Sequence, residues 1–123
     1  MSYPPFFGLG KRESVERMNI DISKGIEVGS YHYEVRQNEE AEQELESDNA
    51  FGKCDNYHRI IKVTKNSSPQ QIHNTIIHEF LEAINCVNCN DKLKHEETTN
   101  LANGLAQVFQ SLGVQFVYKE KEI

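Results

Sequence analysis

The chain predicts an α+β fold, with a small, mostly antiparallel sheet packed on one long helix and a second long helix beside it. Three observations point there. Residues 26–36 alternate in two runs, Ile26 and Val28 and then, past Gly29-Ser30, Tyr31, Tyr33 and Val35, each at every second position, the period of a half-buried strand. Ile60, Ile61 and Val63 form a β-branched run suited to another strand. Beyond them, residues 69–87 and 94–112 carry apolar residues at spacings of three and four, the period of amphipathic helices.

Taken in order, residues 1–24 read as an N-terminal arm and residues 25–123 as the folded domain. Tyr3-Pro4-Pro5-Phe6-Phe7-Gly8 breaks regular structure. Lys11 to Met18 has room for two helical turns, and the aromatic tip is expected to tuck onto the core. Gly29-Ser30 punctuates the first strand segment, so 26–36 is a bent strand or tight hairpin. The acidic insert 38–48 has one large apolar residue, Leu45, and reads as a solvated loop or short exposed helix. Phe51 to Asn56 reads as a turn, and Tyr57 to Lys65 as a strand.

Ser67-Ser68-Pro69 opens the first long helix, because a serine cap followed by proline at the first helical position is a start signal. After a loop at 88–91, the second helix runs to a Gly113 cap. Leu101, Leu105, Val108 and Leu112 are expected to mark its buried side. Val114 to Tyr118 reads as a short edge strand or a tail lying on the core.

At 123 residues the chain makes one domain with a core of its own. A net charge of −6 with scattered basic residues argues against nucleic-acid and anionic-membrane partners, which need clustered Lys and Arg. The first ten residues lack the charged and apolar regions of a signal peptide. No apolar run approaches the roughly 20 residues that span a bilayer. Three cysteines (Cys54, Cys86 and Cys89) make an odd set, so a disulfide framework is not expected and the cytoplasm is the expected compartment.

The chemistry concentrates in Thr75-Ile76-Ile77-His78-Glu79-Phe80-Leu81-Glu82-Ala83-Ile84. On a helix, His78 and Glu82 lie one turn apart on one side, so an imidazole and a carboxylate can converge on one small cation. At about 100° per residue, Ile72, Ile76, Phe80, Ala83, Ile84 and Val87 form the opposite, apolar stripe. Gln71, Asn74 and Asn85 flank the polar side. Asn74 and Asn85 could orient ligands, contact a substrate backbone or simply be solvated. His95 follows Glu82 by thirteen residues, in the first turn of the next helix, where it becomes a third donor. Three donors of His and carboxylate type leave a coordination position open, as catalytic zinc sites do. Glu79 occupies the place that holds the proton-accepting carboxylate in His-Glu-x-x-His peptidases, but the second histidine of that motif is Glu82 here.

These landmarks, together with Ile26-Glu-Val-Gly29, Tyr33-Glu-Val35, Gly52-Lys-Cys-Asp55, Leu93-Lys-His95 and Leu101 to Val108, resemble the small zincin-like metallopeptidases of phages and prophages. That group is loosely related to the ImmA/IrrE metallopeptidases. The resemblance covers residues 26–112, about seven tenths of the chain. It implies a zincin-like fold, His78, Glu82 and His95 as metal ligands, Glu79 as general base, and a peptide or protein as substrate. The implied metal is zinc. A second carboxylate at the metal neutralises more of its charge, makes bound water less acidic, and lets manganese or iron serve as well.

Two other readings compete. One is a non-enzymatic phage accessory protein that uses the same scaffold to bind a protein partner. The other is a structural zinc held by Cys86-Val-Asn-Cys89 with Cys54 and His58 or His95. His32 and His58, beside tyrosines in strand-like segments, read as ordinary polar residues. His73 lies about 140° around the helix from His78 and is left outside the site.

Overall fold

A computed structural model describes residues 16–120. The expectations for residues 1–15, including the aromatic tip and most of the Lys11–Met18 segment, lie outside the described residues.

The alternating segment folds as a hairpin. β2 (Ile26–Val28) pairs antiparallel with β3 (Tyr31–Arg36), with Val28 opposite Tyr31 across a two-residue loop. Gly29 opens that loop at φ 60°, a backbone region that glycine enters without steric cost. Val28, Tyr33 and Val35 point into the core while their neighbours stay exposed.

β3 pairs in parallel with β5 (Ile60–Val63), and β5 pairs antiparallel with β4 (Gly52–Asp55), giving the strand order β2-β3-β5-β4. A separate two-stranded parallel ribbon joins β1 (Met18–Asp21) to β6 (Val114–Val117). The sheet structure is therefore mixed rather than mostly antiparallel. Two departures from expectation share a cause. The arm assigned to 1–24 contains β1, and the presumed turn at 51–56 contains β4. Both strands are short and poor in β-forming residues, so distant backbone pairing creates them rather than local propensity.

The acidic insert is a packed helix, α1 (Glu39–Ser47). Asn38 caps it by accepting the Ala41 N–H at 2.8 Å. Ala41, Glu42 and Leu45 are buried. The single leucine of an otherwise charged run thus suffices to seat the helix against the sheet, where α1 packs on β5.

α2 (Pro69–Cys89) begins where the Ser-Pro signal places it, with Ser68 Oγ accepting the Gln71 N–H at 3.1 Å. Its Ile76 and Ala83 complete a core with Ile22, Val28, Tyr33, Val35, Ile61 and Val63. Ile84, at the margin of the expected stripe, is instead 38% exposed. α3 (His95–Ser111) packs on α2 by a different side from the one expected. Thr98, Ala102 and Ala106 are buried, Ala102 and Ala106 beside Ile77, whereas Leu101, Leu105, Val108 and Leu112 are exposed. Small residues let the two helix axes come close, and that closeness outweighs the larger side chains in setting the helix's rotation. Among the described residues no helix is long and apolar enough to cross a membrane.

Candidate metal centre

The site lies where the middle of α2 meets the first turn of α3. Asn90 and Asp91 both adopt left-handed backbone (φ 52° and 58°) and turn the chain after α2. Asn85 then clamps the returning strand of chain. Its Nδ2 donates to the Leu93 carbonyl and its Oδ1 accepts the Leu93 N–H, both at 3.0 Å. Glu97 Oε1 accepts the Lys94 N–H at 2.8 Å and seats the start of α3. The buried Asn85 is therefore the residue that delivers His95, a part the sequence left open between ligand orientation, substrate contact and solvation.

With His95 so placed, three donors converge. Glu82 Oε1 lies 3.7 Å from His78 Nε2 and 3.9 Å from His95 Nδ1. The two imidazole rings meet edge to face with centroids 5.3 Å apart. One donor atom from each of the three lies within 4.8 Å of the others. Among the described residues this is the one such cluster of three His, Cys, Asp or Glu side chains. Partial burial holds the His78 imidazolium below its usual range, opposed by the Glu82 charge and aided by His95. A neutral imidazole is the form that ligates a cation.

Glu79 points under the sheet edge. Its residue is 7% exposed, and burial, followed by repulsion from Glu82, pushes its carboxyl up to about 8. Gly52, on β4, makes room for it. A Cβ there would stand 2.9 Å from Glu79 Oε2 and 2.5 Å from Thr75 Cγ2. A cleft of about 400 Å³ opens over the group, with Phe51, Gln71, Asn74, Thr99 and Asn103 on its walls. Asn74 faces this cleft.

The remaining candidates lie elsewhere. His73 is buried with its Nε2 3.3 Å from the Ala106 carbonyl oxygen. His32 pairs with Glu27, and His58 with Asp55, both at the surface. Cys54, Cys86 and Cys89 are free thiols, and no third donor joins the C-x-x-C pair among the described residues. The Cys54 thiol is pushed up to about 12 by burial and by the Glu79 and Glu82 charges, away from the thiolate that a zinc knuckle needs. Sequence reasoning missed Gly52. A glycine ahead of a lysine-cysteine pair carries no signal of what its missing side chain would meet.

No family model, curated protein or solved structure matches the chain.

Proposed function

We propose that the chain is a metal-dependent hydrolase of zincin-like fold, acting on a peptide bond. The observation that carries this reading is the convergence of His78, Glu82 and His95 beside the largely buried carboxyl of Glu79, which accepts no hydrogen bond among the described residues. The donor set fits a small divalent cation. Zn–N and Zn–O bonds of about 2.1 Å at tetrahedral angles put neighbouring donors roughly 3.4 Å apart. The two separations from Glu82 are 3.7 and 3.9 Å, and all three donors lie within 4.8 Å of one another, so the two imidazoles close inward by a small side-chain movement when an ion binds. Zinc is the proposed ion, with manganese or iron admitted by the carboxylate ligand. When bound, it would supply Lewis acidity toward a carbonyl and a more acidic water.

The chain's own residues supply the rest. Glu79, whose buried carboxyl faces the cleft beside the three donors, takes a proton from the attacking water and returns it to the leaving amine. β4 is an end strand of its sheet and borders the cleft through Gly52. An extended peptide can add to that edge by backbone hydrogen bonds, with Phe51 at the cleft wall to receive an apolar side chain. Kinship with the small phage and prophage zincin-like peptidases belongs to the same proposal and rests on His78-Glu79-x-x-Glu82 followed by Leu93-x-His95. A cytoplasmic setting belongs to it too, supported by three free thiols.

Elemental mass spectrometry on protein purified without chelator tests the reading, comparing wild type with His78→Ala and Cys86→Ser. About one zinc, manganese or iron per chain is expected, lost in His78→Ala and kept in Cys86→Ser. No stoichiometric metal after reconstitution would overturn the hydrolase and leave a partner-binding scaffold.

A further inference from the structure

α3 carries a second apolar surface that no element among the described residues covers. At about 100° per residue, Thr98, Ala102, Ala106 and Phe109 span the arc that faces α2. Leu101, Leu105, Val108 and Leu112 fill the adjoining arc, about 60° wide, and are 51%, 37%, 50% and 63% exposed. Together the two arcs make the helix apolar over nearly half its circumference, wider than the stripe of a helix that packs on one neighbour. The exposed residues form ridges at spacings of four. Leu101 and Leu105 make one row, and Gly104, Val108 and Leu112 the next.

Two further facts say what covers it. The chain carries net charge −6, yet has no charged residue between Glu97 and Lys119. Two acidic copies meeting on this face bring no like charges into contact, so only their screened net repulsion remains, and a charged partner finds no counter-charge on it. Gly104 lies in mid-helix, where glycine disfavours the helix, and a Cβ there would meet nothing within 4 Å. Nothing around it among the described residues calls for a glycine, whereas the backbone of a second helix crossing there would.

We infer that α3 is the interface of a homodimer in which two copies of the chain cross, about a two-fold axis, at Gly104. Rows spaced by four interdigitate at a crossing angle of roughly −50°, which carries the acidic first turns of the two helices apart. One helix on one helix falls below the roughly 800 Å² per partner of a standard stable interface, so the dimer forms reversibly with concentration. Thr99 and Asn103, which wall the cleft, point about 150° away from the exposed stripe, and the cleft stays open in the dimer. The inference does not depend on the metal-site reading.

Sedimentation velocity on the full chain, from micromolar to submillimolar, tests it. Wild type is expected to shift from monomer to dimer. Val108→Asp is expected to weaken association at least tenfold with an unchanged far-UV circular dichroism spectrum. Gly104→Leu improves helix propensity but blocks the crossing, and is expected to weaken the dimer without loss of fold. Both variants should keep the metal content of wild type. A monomer at every concentration overturns the inference and means that residues 1–15 or another protein cover the face. A dimer indifferent to both substitutions overturns it as well.

Discussion

Glu42 on α1 and Glu79 on α2 are both covered, 3% and 7% exposed, Glu42 just beneath the surface and Glu79 deeper, and the fold treats them in opposite ways. Glu42 Oε1 accepts the Thr64 hydroxyl and the Lys65 N–H, each at 2.8 Å. Although burial raises it, those and neighbouring hydrogen bonds hold its carboxyl below the usual range. It is a joint, tying the acidic helix to the segment that leads into α2. Glu79 accepts no hydrogen bond among the described residues, and burial and the Glu82 charge push it up to about 8. A buried carboxylate ringed by donors holds structure together, whereas one left without them is a strained acid ready to exchange a proton. The difference separates a structural glutamate from a candidate catalytic one without reference to any motif.

The largest expected effect breaks the comparison on the catalytic side. Glu79→Gln keeps the shape of the side chain and removes its proton chemistry. On the proposed hydrolytic activity it should lower turnover by roughly 10²- to 10⁴-fold, while elemental analysis still finds the metal. Turnover that survives with metal bound would reduce Glu79 to a buried acid with no part in the reaction.

Next comes the structural side. Glu42→Ala strands the Lys65 N–H and the Thr64 hydroxyl and should cost about 3 kcal/mol in chemical denaturation. Glu42→Gln, which keeps one acceptor, should cost about half of that. A Glu42→Ala loss below 1 kcal/mol would show that water satisfies those donors and that the joint is dispensable.

What was legible in the sequence follows the range of the interactions. Helical periodicity, the Ser68-Pro69 start and the i, i+4 pairing of His78 with Glu82 are local, and each is found where the residues put it. His95 was within reach of sequence reasoning because α3 starts one short loop after α2. The β1–β6 ribbon, the parallel β3–β5 pairing and the Asn85 clamp join backbone groups that no window of sequence displays together. α3 misled for another reason. Leucines at helical spacing read as core, but Ala102, Ala106 and Thr98 allow a closer approach to α2, and the leucines turn outward. The contrast between Glu42 and Glu79 was invisible too, since it depends on which donors the tertiary fold brings within reach.

Gly52→Ala sharpens the comparison from the neighbouring strand. The added Cβ meets Thr75 Cγ2 and Glu79 Oε2 closer than ordinary contacts allow, so β4 or the Glu79 side chain must move. Overpacking of this kind should cost about 2 kcal/mol of stability, and on the proposed activity it should lower turnover with metal content unchanged. A neutral substitution would mean that the cleft relaxes freely and that Glu79 is not held in place by the missing side chain.

The smallest effect is a matter of sign, read on metal-free protein. Glu79 rises from an ordinary value of 4.5 to about 8 on folding, so between those limits the folded state binds more protons than the unfolded one. The Glu79 contribution to stability therefore falls as pH rises from about 4.5 toward 8. Glu42 works in the other direction. Its lowered carboxyl contributes stability above its unfolded value of 4.5, and that contribution is lost as pH falls through the folded value. Glu79→Gln should therefore flatten the upper limb of the stability curve, a gain of about 1 kcal/mol at pH 8 once relaxation around the buried charge is allowed for. Glu42→Gln should flatten the lower limb and leave the upper one alone. Denaturant midpoints of the three proteins from about pH 2.5 to about pH 8 measure both limbs. Curves that stay parallel would mean that the two buried carboxyls titrate alike, which would remove the physical ground for giving them different roles.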